Sequence, residues 1–420
     1  MQVFKFGGAS VRNHEKIENL GRLLQRYPGE PLLIVLSAMG KTTNALEKVA
    51  EAFFAGKRQE ALDLFRAVKL QHLDEAKYLL VTHFNALLEQ FTDFFTEVEW
   101  LLHDEPVRSY DYYYDQIVCV GELLSTALVC AYLNESGMNA TWLDVRDIIR
   151  TNNNFRDAGI DWPLTQEQVI KTVHPLLTDN RVVITQGFIG CTDENESTTL
   201  GREGSDYTAA LFAHMLNVQQ LTIWKDVPGV MNADPRLFPD ARLIPDLNYD
   251  EVIEMAYYGA QVLHPKTIKP LQNKNIPLLV KCFDDADLPG TRIHNQPVKH
   301  LPPIIVWKQQ QVLLDLHTRD FSFVGEQPIS DLYRIMAQLH VRPNLLQIHA
   351  VNLQICLDER NDKLEQLAHA AAGSFDVQIK RGLSLLSIRY YSDELVQRLT
   401  EGKTAVLVQR SRDTIQLLLY

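Results

Sequence analysis

The stretch GREGSDYTAALFAHML, Gly201–Leu216, decides the fold: a glycine-bounded polar turn runs directly into an apolar helical pattern. Such a turn leaves free backbone N–H groups and the positive end of a helix dipole aimed at one spot, which makes it a site for an anion. Arg202 adds a planar fork suited to a carboxylate or phosphate, and Ser205 and Asp206 stand at the helix entrance, where capping residues are favoured. Asp206 reads in two ways. Either it is a plain N-cap before an apolar run, or its carboxylate organises a nearby lysine or a metal ion.

Outward from there, QVFKFGGAS at the N-terminus predicts a strand over Gln2–Phe6, a turn at Gly7 and Gly8 followed by Ser10, and an amphipathic helix over Glu15–Tyr27. Strand, glycine turn and helix make a second place where backbone approaches phosphate closely. Lys5 either brings a point charge to it or is a surface lysine on an edge strand. The spacing fits neither the G-x-x-x-x-G-K-[ST] loop nor the G-x-G-x-x-G fingerprint, so a third kind of phosphate site is implied.

Six segments carry a resemblance: KFGGAS (5–10), LSAMGKTTN (36–44), GELLS (121–125), TLGREGSDYTAA (199–210), KDVPGVMNADPR (225–236) and GAQVLHPKT (259–267). Taken in this order they resemble aspartate kinase, of the amino-acid kinase family. The resemblance implies an α/β catalytic domain over residues 1–293, with a central, mainly parallel sheet between helical layers and a helical insertion at about 45–115. It further implies a linker at 294–303 and an α+β, ferredoxin-like ACT region over 304–420 that binds end-product amino acids and dimerises. Period and composition agree with part of this. Apolar runs at Leu32–Ser37, Val182–Ile189, Leu221–Trp224 and Pro277–Cys282 alternate with helical patterns, the signature of a parallel sheet. Phe91, Phe94, Phe95 and Trp100 read as core of the insertion, and HDEPVRSYDYYYD (103–115) reads as a solvated loop ahead of a helix starting near Gln116.

The resemblance also assigns roles. Lys5 and Asp206 are expected to be catalytic, and Ser37, Thr43, Glu122, Arg202 and Ser205 to hold L-aspartate. Lys5, Gly7, Gly8, Ser10, Asp226, Arg236 and Lys266 are expected around ATP, which brings Mg²⁺. Taken from the residues alone, Glu122 also reads as a solvated helix-face glutamate, Ser37 as a satisfied strand-end hydroxyl and Lys266 as a helix-surface lysine. The chemistry makes modest demands: a β-carboxylate with a pKa near ~3.9 is already ionised, so phosphoryl transfer needs positioning and charge neutralisation and no general base. Four positions depart from the family: Lys225 for threonine or serine, Met231 for tyrosine, Gln261 for a nucleotide-contacting lysine, and Glu203 for a small residue, its side chain expected to point outward.

Composition sets outer bounds. The chain has 420 residues, 46% hydrophobic and 22% charged, enough for two or three domains with a large core. A net charge of −12 disfavours nucleic acid. No signal peptide is expected at the start and no membrane span along the chain. Five scattered cysteines without C-x-x-C spacing read as reduced thiols of a cytoplasmic protein, not as metal ligands.

Past PGTRIHNQPVKHLPP (289–303), residues Val312–His317, Ile329–His340, Leu345–His349, Val351–Leu357, Asp362–Ala372 and Val377–Lys380 read strand, helix, strand, strand, helix, strand. Strands at Ser384–Tyr390, Thr404–Arg410 and Thr414–Leu419, with a helix only at Asp393–Leu399, make an abbreviated second repeat. A lysine or threonine effector and a homodimer or higher homo-oligomer are what the resemblance implies. Gly325 in the loop 320–327 offers a permissive backbone, while Asn344 replaces an expected aspartate, so feedback is expected to be weak. The alternatives are another small-acid kinase of the superfamily or a catalytically silent amino-acid sensor.

Overall fold

Short apolar strands, each too hydrophobic to face water on either side, line up in the N-terminal part of the chain as one parallel sheet. The computed structural model describes residues 1–178, 182–260, 263–319 and 322–420. It contains two compact units. One comprises Met1–Val230, Leu243–Ala256 and a stretch ending at Val298; the other comprises Met231–Arg242, Tyr257–Ala260 and Lys299–Tyr420.

The chain begins β1 (Gln2–Phe6), α1 (His14–Leu24) and β2 (Leu32–Leu36), then enters five helices: α2 (Thr42–Phe54), α3 (Arg58–Leu79), α4 (Phe84–His103), α5 (Tyr110–Val118) and α6 (Val120–Glu135). It continues through β3 (Ala140–Leu143), α7 (Trp162–Gln168), α8 (His174–Thr178), β4 (Val182–Gln186), β5 (Ile189–Cys191), β6 (Ser197–Thr199) and α9 (Gly204–Leu216). The remainder is β7 (Leu221–Lys225), β8 (Asp246–Asn248), α10 (Tyr249–Tyr258), α11 (Pro265–Lys274), β9 (Leu278–Cys282) and β10 (Thr291–His294).

The main sheet has the order β3-β4-β2-β1-β7-β9-β10-β8 and is parallel from β3 through β9. From β1 the chain steps first to β2 on one side and returns later to β7 on the other. The carboxyl ends of β1 and β7 therefore flank a topological switch point, where open α/β sheets bind their ligands. Lys5 lies near the end of β1 and Lys225 closes β7.

Several sequence expectations are corrected here. Residues 110–115 are helical, because the Ser109 side chain caps the Tyr112 N–H and Tyr113 and Tyr114 are buried. Trp100 is not core; it is 74% exposed, while Phe91, Phe94 and Phe95 are buried as expected. The run Val182–Ile189 splits into β4 and β5 around the turn at Gly187–Phe188, and the connection at 289–303 contributes β10, antiparallel to β9. Tyr110–Glu135 is long and apolar enough to cross a membrane, and 83% of its most apolar window is buried inside the protein, as expected of a core helix pair.

The second unit carries β11 (Ile304–Thr318), α12 (Glu326–Gln338), β12 (Leu345–Ile348), β13 (Asn352–Asp358), α13 (Asn361–Ala371), β14 (Phe375–Arg389), α14 (Asp393–Thr400), β15 (Ala405–Arg410) and β16 (Thr414–Leu419). All six strands join one antiparallel sheet, β12-β13-β11-β14-β16-β15. The segments expected as two strands at 377–380 and 384–390 are one strand, β14, because β11 pairs with it from Ile304 to Thr318 and satisfies its backbone throughout, apart from bulges near Gln311. Helices α12 and α13 cover a core that includes Leu314, Leu316, Ile355, Leu367 and Phe375. The half beyond Gly382 has only the eight-residue α14, packed through Leu395, Val396 and Leu399 on Leu386, Ile388 and Leu417.

Candidate active site

Lys5 and Asp206 meet at the switch point. Helix α9 starts at Gly204 behind Glu203, whose φ of 55° is left-handed and whose side chain caps nothing. Asp206 is thus inside the first turn and is not the N-cap. Its carboxylate instead takes the Lys5 ammonium at 2.6 Å, and the Lys225 ammonium stands 3.9 Å from its other oxygen. Burial alone would push this carboxyl up; Lys5, then Lys225, outweigh it and hold the group below the usual carboxylate range. The helix comes this close to the sheet because residue 187, just past β4, is glycine. A Cβ there would lie 2.6 Å from Cβ and 2.7 Å from Cα of Ser205.

A cleft of about 390 Å³ opens beside this pair. Ser37, Thr43, Glu122, Arg202 and Ser205 line it together with Lys5 and Asp206, so the expected amino-acid contacts converge. Glu122 is the most informative of them. It lies in the first turn of α6, buried, with Oε1 3.4 Å from the Ala38 N–H, while buried Oε2 finds no hydrogen-bond partner among the described residues. Burial, only partly opposed by that N–H, pushes its carboxyl up to about 8. An ammonium group arriving here would meet an acceptor left unsatisfied among the described residues.

Sequence reading missed Tyr114, Arg156, Phe188 and Thr199, which also line the cleft, and it misdirected Glu203. The Glu203 side chain faces the cleft and does not point outward; its Oε2 is buried without a hydrogen-bond partner among the described residues. Arg156, Phe188 and Glu203 all have positive φ, at 67°, 73° and 55°. Strained conformations of bulky residues concentrate at functional sites. Behind them, buried Asp115 accepts the N–H of Arg156 (2.9 Å) and both the N–H (2.8 Å) and hydroxyl (2.7 Å) of Thr199. Its burial outweighs these donors and raises its carboxyl to about 6. The available sequence signal was the Asn-rich TNNNFRDAG after β3, a turn with an arginine in it.

Comparison with known proteins decides what kind of site this is. The sequence model of the amino acid kinase family matches residues 1–282. The lysine-sensitive aspartokinase 3 of Escherichia coli K12 is 32% identical over 396 residues, spanning 92% of this chain and 86% of that protein. The chain belongs to the amino acid kinase family. Among the relatives of this kinase, the chloroplastic aspartokinase 2 of Arabidopsis thaliana is 34% identical over 366 residues, covering 85% of the chain and 66% of the plant protein, so the chain spans about two thirds of that relative's length. Among solved structures, E. coli aspartokinase III in complex with aspartate and ADP superposes with a TM-score of 0.84 at 29% identity, covering all of this chain and 96% of that one. The same enzyme in complex with lysine and aspartate gives a TM-score of 0.82 at 29% identity, covering all of this chain and 95% of that one.

The residues expected around the nucleotide are more dispersed in this amino acid kinase. Gly7 adjoins the Lys5 ammonium, 3.6 Å from where a Cβ would sit, and Ser10 is buried in the following turn. Gly8 has a packing reason of its own: a Cβ there would strike the Ala38 carbonyl oxygen at 2.6 Å. Exposed Asp226 follows Lys225 at the carboxyl end of β7. Arg236 belongs to the second unit and grips Asp234 through two nitrogens, at 2.7 and 3.0 Å. Lys266 pairs with Asp157, on the loop that carries Arg156. Gln261 lies outside the described residues. Asn344, expected to face an effector, is engaged within its own unit: it accepts from Lys308 (2.7 Å) and donates to Gln311 (2.7 Å) and Asp358 (2.8 Å). Gly325 has φ −81° and ψ 173°, extended backbone open to any residue, so its special freedom is not used.

Proposed function

We propose that this chain is an aspartate kinase, transferring the γ-phosphoryl group of ATP to the β-carboxylate of L-aspartate to give 4-phospho-L-aspartate and ADP. The observation that carries the reading is the buried, unsatisfied Oε2 of Glu122 in a cleft that also presents Arg202 and the Lys5–Asp206 pair. A substrate with one ammonium, one carboxylate to be held and a second carboxylate to react is complementary to that set.

The β-carboxylate oxygen attacks the γ-phosphorus, and the bond from that phosphorus to the bridging oxygen breaks as ADP leaves. No proton has to be moved. Lys5 neutralises charge on the transferring group, and Asp206 fixes the ammonium that does so. Arg202, with Ser205 at the start of α9, holds the carboxylate that does not react. Mg²⁺ enters with the nucleotide as part of the substrate, since among the described residues no three metal-ligating side chains gather. Gly7, Gly8, Ser10, Asp226 and Lys266, all of the first unit, are the proposed nucleotide contacts.

The aspartate and ADP held by the E. coli enzyme support this choice of substrates, and the lysine held by the same enzyme supports an amino-acid effector. We further assign residues 1–293 to catalysis, 304–420 to ACT-like regulation and dimerisation, and the activity to the cytoplasmic first step toward lysine, threonine and methionine.

The test is ADP release with ATP and Mg²⁺ across aspartate, glutamate, N-acetylglutamate and uridine monophosphate, with hydroxylamine trapping of the acyl phosphate. Turnover with aspartate and a trapped hydroxamate are expected. Preference for any other acceptor would make the chain a different kinase of the same fold.

A further inference from the structure

We propose that Arg156 is a specificity-determining residue of this site: a second guanidinium that, beside Arg202, holds one of the two carboxylates of the amino-acid substrate. The inference rests on the aspartate kinase reading and extends it to a residue on a different loop.

The turn 154–157 closes through a hydrogen bond from Asp157 N–H to the Asn154 carbonyl, which puts Arg156 at its third position with φ 67°. Glycine or asparagine ordinarily stands there, because a β-carbon in this conformation crowds the backbone. The backbone contact that anchors the turn, Arg156 N–H to the Asp115 carboxylate, needs no side chain, so glycine would make it equally well. The guanidinium must account for the arginine.

Its protein partners are weak. Asp111 at 3.3 Å and Glu47 at 3.8 Å are both substantially exposed, and such pairs contribute little. The guanidinium lies over the ring of buried Tyr114, 4.3 Å from its centroid, which orients it without neutralising it. It lines the same cleft as Arg202. The two loops touch: a Cβ on Gly201 would lie 2.7 Å from Asp157 Oδ1 and 3.3 Å from the Arg156 carbonyl oxygen. Two forks on adjoining loops, with the Glu122 carboxylate in the same cleft, match a molecule bearing two carboxylates and one ammonium.

The test compares wild type with Arg156→Gly and Arg156→Asn, which accept the left-handed backbone and remove the charge, and with Arg156→Lys, which keeps charge without the fork. In the first two the KM for aspartate should rise about tenfold or more, the loss expected for a charge-assisted hydrogen bond. KM for ATP should stay within about twofold, and the glycine variant should melt no lower than wild type. Lysine should restore aspartate affinity only in part. An active wild type whose KM for aspartate is unmoved in both neutral variants, or whose two KM values rise together, overturns the role of Arg156 alone. A wild type that turns over no aspartate overturns the kinase reading and this inference with it.

Discussion

The Lys5 ammonium lies 2.6 Å from Asp206 Oδ1, with the two side chains only 10% and 5% exposed. A pair so withdrawn from water is held by its own attraction, and removing one member leaves the other charge buried. Lys5→Ala is therefore expected to lower kcat by at least about a hundredfold, the scale of losing one charge-stabilising donor, with ATP affinity largely retained. Single-turnover kinetics separate the two. Preserved kcat with weakened ATP binding would make Lys5 a binding residue only. In Asp206→Asn the lysine loses its counter-charge, and stability should fall by about 3–5 kcal/mol, read from denaturant unfolding.

Glu122 predicts a pH dependence. Its folded pKa, about 8, stands above the ordinary 4.5, so its contribution to stability is full below about pH 4.5 and is lost as pH rises through about 8 in the unliganded protein. Aspartate brings an ammonium that favours the ionised form, so binding must expel a proton at lower pH. KM for aspartate should fall roughly tenfold between about pH 6.5 and 8, and Glu122→Gln should flatten that profile. A steep profile surviving in the glutamine variant would assign the titration elsewhere.

Arg202→Ala should raise KM for aspartate by about ten- to hundredfold while KM for ATP changes little, and Arg202→Lys should rescue it poorly, because a point charge does not reproduce a bidentate fork. Equal effects on both substrates would remove Arg202 from amino-acid recognition.

Gly187→Ala tests the approach of α9 to the sheet. The added methyl would stand 2.7 Å from the Cα of Ser205, which is backbone and cannot swing aside. Stability should fall by about 1–3 kcal/mol, seen as a lower melting midpoint, with a higher KM for aspartate because Ser205 moves. A wild-type midpoint would show that the helix has room to spare.

Feedback inhibition is expected to be weak, because Asn344 carries no charge to pair with an effector ammonium and its oxygen already accepts from the Lys308 ammonium, which repels a second cation. Activity titrated with lysine, threonine and methionine, singly and paired, measures it; cooperative inhibition below about 1 mM by any of them would refute this, as that affinity demands roughly 4 kcal/mol of binding free energy.

Much of this was legible because it is local. Alternation of apolar strands with amphipathic helices fixed the α/β class, since a strand buried on both faces must be apolar throughout. The ordered motifs, each a strand end or helix start, marked Lys5, Ser37, Thr43, Glu122, Arg202, Ser205 and Asp206, and these residues do line one cleft. What stayed hidden depends on contacts between distant segments. Trp100 is a different case: it lies on the opposite side of α4 from Phe91 and Val98, so the helical period already turned it outward, and reading it as core followed its residue type and not its spacing. Asp206 has the sequence look of a cap; its role as the partner of Lys5 follows from β1 and α9 meeting beneath the switch point. Arg156 sits in a turn that any polar sequence could form, and its place in the cleft comes from its own N–H and that of Thr199 on β6 donating to one carboxylate, Asp115 on α5. By itself the sequence determined most of the strands and helices and the glycine turns between them, because those follow from nearest-neighbour sterics and side-chain period. Tertiary structure alone decided which charges face each other and how far burial moves them, because both depend on which atoms, from any part of the chain, have displaced water.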